Sequence, residues 1–240
     1  YCDYVFYGHT HVREQHRTGK TVVANPGALF RANPKTCCIL DVATGTGEAA
    51  LACARRLRRG HVTGIDLSEA MLARARAKAA SNRLENLEFQ SMDIEALAFP
   101  PDTFDGVCCS FGIFFLPDME EGLRKLLAVV KPGGSIGISS FSEQVFEPLV
   151  TCFFNRIQAH GIALPPLSWK RLDHPDKYRE LFEKAGLENI ETHREPMGYH
   201  LSDAEGWWDI LWNSGFRGLL SQLSETELPA FRREHLGEIA

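Results

Sequence analysis

Two glycines and three aspartates are the residues of this chain whose types and spacing could do chemistry. In Asp41-Val42-Ala43-Thr44-Gly45-Thr46-Gly47, the glycines lie just past an acidic residue. A strand turning sharply into a helix there lets backbone, rather than side chain, approach a ligand. The same pattern equally serves an ordinary strand-to-helix turn, and a G-x-G alone decides nothing. Asp66 follows about 20 residues later, where a carboxylate can accept two hydrogen bonds from a ribose diol. With Ser68 close behind, its alternative is a plain helix-start charge. Asp93, between Met92 and Ile94, offers an acceptor for an exocyclic amine between two apolar surfaces, although alone it is an ordinary loop aspartate. The combined spacing favours a nucleoside ligand.

Positioning these groups requires strands that alternate with helices. A β-rich run at 37–42 ends on Asp41-Val42, and an Ala/Arg-rich helix extends to about residue 58, where Gly60 closes it. Residues 61–66 make a second strand, and Ser68 caps a helix whose stripe is Met71, Leu72, Ala75 and Ala79. Strands are expected at 86–90 and 104–110. Pro117 and Asp118 then start a helix through 130, and Lys131-Pro132-Gly133-Gly134 breaks the chain before a fifth strand at 135–141. Beyond 141 the spacing predicts a helix at 176–185 capped by Gly186, a sixth strand at 188–197, and an aromatic helical segment from Ser202 with Trp207, Trp208, Leu211, Trp212 and Phe216. That segment is either a lid over an apolar acceptor or a helix packing its tryptophans into its own core. The fold class is α/β, a doubly wound and mostly parallel sheet with a helical C-terminal cap and a short N-terminal β-hairpin segment. The division is 1–36, 37–141 and 142–240.

Composition limits the function classes. With 240 residues, 44% of them hydrophobic, the chain buries a core without disulfides or metal. A net charge of −5 and no long basic run leave no nucleic-acid footprint, so a small molecule is the expected partner. Seven cysteines, with adjacent pairs at Cys37-Cys38 and Cys108-Cys109 and no C-x-x-C spacing, suit reduced, buried thiols and a cytoplasmic location. No apolar stretch is long enough to span a bilayer. The start, Tyr1-Cys2-Asp3-Tyr4, suggests a fragment whose upstream residues are missing. No sequence feature assigns an oligomeric state.

Five pieces occur in order over about a hundred residues: Ile39-Leu40-Asp41-Val42-Ala43-Thr44-Gly45-Thr46-Gly47, Gly64-Ile65-Asp66-Leu67-Ser68, Met92-Asp93, Phe104-Asp105 and Lys131-Pro132-Gly133-Gly134. In these the chain resembles the class I S-adenosylmethionine-dependent methyltransferases, especially the branch of ubiquinone and menaquinone biosynthesis. The resemblance implies a Rossmann-like fold, S-adenosyl-L-methionine as cofactor, and methyl transfer to a small apolar or aromatic acceptor. It implies Asp41, Gly45 and Gly47 beside the methionine moiety, with Ala43 where many relatives carry a first glycine. Asp66 would take the ribose, Leu67, Met71, Met92 and Asp93 the adenine, and Ser110 and Phe111 would face the transferred methyl. No general base identifies itself, and His174, His193 and His200 read as surface or packing residues. One alternative is a domain that binds the cofactor without catalysis. Another is a nicotinamide-dependent oxidoreductase, because Gly45-x-Gly47-x-x-Ala50 also fits the looser dinucleotide fingerprint. Acidic surroundings favour a sulfonium over a pyrophosphate.

The first 36 residues are of another kind. Gly8-His9-Thr10-His11 and Val22-Val23-Ala24-Asn25-Pro26-Gly27-Ala28 resemble the last portion of a calcineurin-like metallophosphoesterase, in which the two histidines bind a two-metal centre. The family's earlier ligand groups do not precede them, so His9 and His11 are remnant candidates only and no metal is expected. The final strand of that family reads much like 38–45, which here is also the first methyltransferase strand. The expectation is that two coding sequences joined within this shared stretch, leaving hairpins where relatives carry a cofactor-covering helix. A strand beside strand five is not evident at the far end, which would leave an unpaired edge.

Overall fold

The computed structural model describes residues 37–57, 59–195 and 200–239. The expected N-terminal hairpins, with His9 and His11, lie outside them. In chain order the elements are β1 (Cys37–Val42), α1 (Glu48–Arg56), β2 (Gly60–Asp66), α2 (Glu69–Ser81), β3 (Leu87–Ser91), β4 (Phe104–Ser110), α3 (Met119–Val129), β5 (Val130–Ser139), α4 (Leu149–Ala159), α5 (Pro175–Lys184), α6 (Ala204–Asn213), α7 (Arg217–Leu220) and α8 (Glu227–Ile239). Short 3₁₀ turns occur at Ile94–Ala96, Ile113–Phe115 and Ser168–Leu172.

The five strands form one sheet in the order β3-β2-β1-β4-β5, and every pairing is parallel. Period-two alternation explains the two covered faces. Along β1, Cys37 and Ile39 pack with Leu51, Cys53, Leu72, Ala75 and Phe89 under α1 and α2. Leu40 and Val42 turn the other way, to Leu123, Leu126, Leu181 and Phe182 of α3 and α5. The order reverses direction between β1 and β4, so the crevice for a ligand lies beyond the C-terminal ends of these strands.

Several boundaries differ from expectation. Helix α1 ends at Arg56, and Gly60 opens β2 at φ 138°. A side chain on Gly60 would stand 2.0 Å from the Cys37 carbonyl oxygen, so close approach of the strands requires this glycine. The segment Lys131-Pro132-Gly133-Gly134 does not interrupt the strand. Strand β5 begins at Val130 and absorbs the segment as a bulge, with Phe104 opposite Val130 and Gly106 opposite Ser135. Its end falls at Ser139. At the end of the strand order, the missing N–H of Pro132 is tolerated. The sixth strand does not form over the described residues 188–195, where Arg194 makes only an isolated bridge. Asn189 at φ 56° breaks the extended backbone there.

A second core, built from residues beyond 144, packs Phe153 and Ile157 of α4 against Trp207, Leu211, Leu220 and Phe231. Trp207 is fully buried and Trp208 nearly so. The tryptophans therefore fill the core of the helical cap, the second of the two readings of that segment. Trp207 donates to Nε2 of His235 at 2.9 Å, and His235 is itself buried. Among the described residues, no helix is long and apolar enough to cross a membrane.

Candidate cofactor-binding site

The turn between β1 and α1 is shaped by backbone sign before any side chain acts. Ala43, Gly45 and Gly47 all have positive φ, 53°, 55° and 85°. Glycine carries such angles without cost, whereas alanine at Ala43 does not. The Ala43 methyl fits because Gly112 lies opposite, where a Cβ would come within 2.5 Å of it. Above Gly45 there is open space: a Cβ built there meets no atom within 4 Å. Gly47 is closed from below, its virtual Cβ 2.8 Å from the Phe89 ring and 2.9 Å from the Ala75 methyl.

Asp41 braces this turn from inside. It is 1% exposed, on the α1 face of the sheet, and its Oδ2 accepts from the Thr44 hydroxyl and from the Ala50 N–H at 3.0 Å. Cys108 donates its thiol proton to Oδ1 at 3.2 Å. That thiol is held protonated by its hydrogen bond with Cys53 and by burial. Burial pushes the Asp41 carboxyl up to about 6, against the lowering effect of its Thr44, Cys108 and Ala50 partners. One N–H in the first turn of α1, that of Ala50 at the third position of the dinucleotide fingerprint, thus meets the buried Asp41 carboxyl group and is not available to a phosphate.

Asp66 stands at the end of β2 and ties three strand ends together. Its Oδ2 accepts from the Gly45 N–H at 2.8 Å, and its Oδ1 accepts from the Ser68 N–H at 2.8 Å. Its carbonyl oxygen accepts from the Met92 N–H at 3.1 Å, and Thr44 donates to the Ile65 carbonyl at 2.9 Å. A carboxylate oxygen has lone pairs beyond one acceptance, so this arrangement leaves capacity toward a diol. Beside it Leu67 is 70% and Met71 41% exposed, two of the three large apolar side chains that the described residues leave in solvent. Met92 is half-buried against the core, and Asp93 caps the following turn by accepting from the Glu95 N–H at 2.8 Å.

At the end of β4, Ser110 is half-buried, and Phe111 adopts φ 58° while donating its N–H to the Ser139 carbonyl at 3.1 Å. The Phe111 ring lies 4.6 Å from that of Phe141. The structure thus joins Gly45, Asp66 and Met92 directly and places Ser110 and Phe111 at the C-terminal end of β4, both against Ser139 at the end of β5. Phe104-Asp105 sits at the opposite end of the sheet. There Asp105 accepts from the Cys38 N–H at 2.7 Å and from Lys131 at 3.0 Å, which fixes the start of β1. Sequence reasoning missed Thr44, Gly112 and Lys78, whose ammonium donates to Thr46 at 3.0 Å. Asp41 alternates with Ile39 on one face of β1, and that two-residue period is the signal that places its carboxylate toward α1.

The residues present fit S-adenosylmethionine: open space over a glycine backbone, a carboxylate at the second strand end, exposed apolar plates beside it, and acidic groups suited to a sulfonium.

Comparison with known proteins agrees. Residues 39–134 match the family model described as a methyltransferase domain. Residues 1–45 match that of the calcineurin-like phosphoesterase superfamily domain, so 39–45 fall inside both. The ubiquinone/menaquinone biosynthesis C-methyltransferase UbiE of Escherichia fergusonii is 31% identical over 175 residues, covering 67% of this chain and 70% of that protein. The protein of the same name from Geobacter sulfurreducens is 39% identical over 124 residues, 50% of this chain, and the chain spans about half, 48%, of its length. Among solved structures, a candidate methyltransferase of Bacillus halodurans superposes with a TM-score of 0.56 at 25% identity, covering 81% of this chain and 79% of that one. A SAM-dependent methyltransferase of Aquifex aeolicus shares the fold, with a TM-score of 0.51 at 22% identity over 63% of this chain and 72% of its own. The all-parallel sheet, the braced glycine turn and these matches agree: the chain belongs to the class I S-adenosylmethionine-dependent methyltransferases.

Proposed function

We propose that this chain binds S-adenosyl-L-methionine and catalyses methyl transfer to a small, flat, apolar or aromatic acceptor. The observation that carries this reading is the Asp66 carboxylate, fixed by the N–H groups of Gly45 and Ser68 at the strand end beside the exposed Leu67 and Met71. Asp66 would hold the ribose, Leu67, Met71, Met92 and Asp93 would frame the adenine, and the turn through Ala43, Gly45 and Gly47 would receive the methionine end, with Asp41 holding that turn rigid from below. The cofactor supplies a methyl carbon made electrophilic by the positive sulfur. The residues of this chain align the acceptor with that carbon and exclude water. Alignment of this kind is worth on the order of 7 to 11 kcal/mol in well-oriented systems. Ser110 and Phe111, at the end of β4, would form the wall on the methyl side.

The curated relatives are named for C-methylation in ubiquinone and menaquinone biosynthesis. Their names support a quinol ring as the acceptor here, in which an ionised hydroxyl makes the neighbouring ring carbon nucleophilic. Held by Asp66 and the turn through Gly45, the cofactor would supply its methyl group to that ring carbon, its sulfur would leave with the electrons of the carbon–sulfur bond, and the ring proton would be lost to solvent as the methylated ring leaves the site. The free thiols from Cys37 to Cys152 support a reducing compartment, and the net charge of −5 supports a small-molecule partner. The test is incubation of the purified chain with methyl-labelled S-adenosylmethionine and reduced menadione, followed by mass spectrometry of the quinone fraction. One added methyl group per ring is the expected product. Cofactor binding with no label in any member of a quinol and phenol panel would show a non-catalytic binding domain instead.

A further inference from the structure

The third large apolar side chain left in solvent among the described residues is Phe115, at 71% exposure. It sits in the 3₁₀ turn that follows β4, and its neighbours behave differently: Ile113, Phe114 and Leu116 are all buried. The turn is held in two ways. Inside it, Phe115 and Leu116 donate to the carbonyls of Gly112 and Ile113, each at 3.1 Å. From across the chain, the Arg171 guanidinium donates to the carbonyls of Phe114 at 3.1 Å and Pro117 at 2.9 Å, and also to that of Leu116. The carbonyls on either side of Phe115 are thus fixed by one planar fork, which a lysine could not reproduce. Behind Phe115 an aromatic line runs inward. Ring centroids are 4.8 Å apart from Phe115 to Phe114, 6.4 Å from Phe114 to Phe141, and 4.6 Å from Phe141 to Phe111 at the end of β4.

A turn so firmly anchored, following the C-terminal end of β4 and presenting one bare phenyl ring to water, is suited to recognising a flat ligand. We propose that Phe115 selects the acceptor by stacking on a flat aromatic ring, and that Arg171 is the positioning residue that aims it. This rests on the methyl-transfer reading and adds to it the residue that chooses the acceptor class.

The test uses the full chain and two probes: S-adenosylhomocysteine, followed by calorimetry, and menadione, a flat naphthoquinone, followed by quenching of tryptophan emission with the first probe saturating. Phe115→Ala is expected to weaken menadione about tenfold, the share of one aromatic anchor, with S-adenosylhomocysteine affinity and melting temperature unchanged. Phe115→Trp keeps a stacking face and is expected to retain binding. Arg171→Gln is expected to weaken menadione as well, and to speed hydrogen exchange at the Phe115 and Leu116 amides, without changing S-adenosylhomocysteine affinity. Equal menadione binding by the parent chain and Phe115→Ala would overturn the proposal, as would its absence from a parent chain that binds S-adenosylhomocysteine. A parent chain that fails to bind S-adenosylhomocysteine would overturn the methyl-transfer reading itself, and this inference with it.

Discussion

Asp41 shows how much of a site can be structural. Its oxygens satisfy the Thr44 hydroxyl, the Ala50 N–H and the Cys108 thiol, so the variants Asp41→Asn and Asp41→Ala separate charge from hydrogen bonding. Asparagine keeps one oxygen for Thr44 and Ala50 and turns its amide toward the Cys108 sulfur, and its fold should persist. Alanine orphans the Thr44 hydroxyl and the Ala50 N–H, while Cys108 keeps its hydrogen bond with Cys53, and should cost about 1–3 kcal/mol for each orphaned donor in urea unfolding. The charge has its own signature. The folded carboxyl takes up its proton near pH 6, the unfolded one near 3.8, so Asp41 lowers stability as pH rises through that window, and Asp41→Asn removes that slope. Motif spacing made Asp41, Gly45, Gly47 and Asp66 legible as one constellation, because parallel strands end at a common crevice. Spacing does not reveal long-range partners such as Gly112, which makes room for Ala43, or Arg171, whose guanidinium crosses from a distant turn.

Among the elements, the ring of Phe89 on β3 is the point where β2, α1 and α2 meet. A Cβ on Gly64 would stand 2.6 Å from that ring, and one on Gly47 2.8 Å from it. Gly64 has no positive φ, so its glycine is required by space alone. Gly64→Ala should destabilise the chain by about 1–3 kcal/mol through overpacking. Adding Phe89→Leu, which narrows the ring, should recover part of that loss in a double-mutant cycle by chemical denaturation, whereas strictly additive losses would show that the two do not touch. Strands β1 to β4 were readable because both faces are buried and the runs are apolar and punctuated. The bulge in β5 was not, because Pro132 and two glycines signal a break unless the edge position of the strand is known. A strand was expected at 188–197, but over the described residues 188–195 only Ile190 packs against the core, too little apolar surface to hold one.

Across the whole molecule, stability divides between the sheet cores and the cap, and His235 couples the cap to pH. Burial, and after it the charge of Arg156, pushes His235 down to about 4 from an unfolded value of 6.5. Its contribution is complete above pH 6.5 and is lost as pH falls toward 4, opposite in sign to that of Asp41 over much of the same range. His235→Gln retains an acceptor for the Trp207 indole N–H and should flatten the acid limb of a tryptophan-emission titration, whereas Asp41→Asn should steepen it; an unchanged slope in His235→Gln would contradict the buried neutral imidazole. At this scale the two family matches overlap at 39–45, which comprises most of the buried strand β1 and the start of the glycine turn. The central claim is the nucleoside site on Asp66. Calorimetric titration with S-adenosylhomocysteine, on the parent chain and on Asp66→Ala, tests it most directly. Micromolar binding that falls about tenfold to a hundredfold in the variant is the predicted result, as expected for lost charge-assisted hydrogen bonds. Binding of equal strength in both proteins, or binding of NADH in its place, would contradict the account.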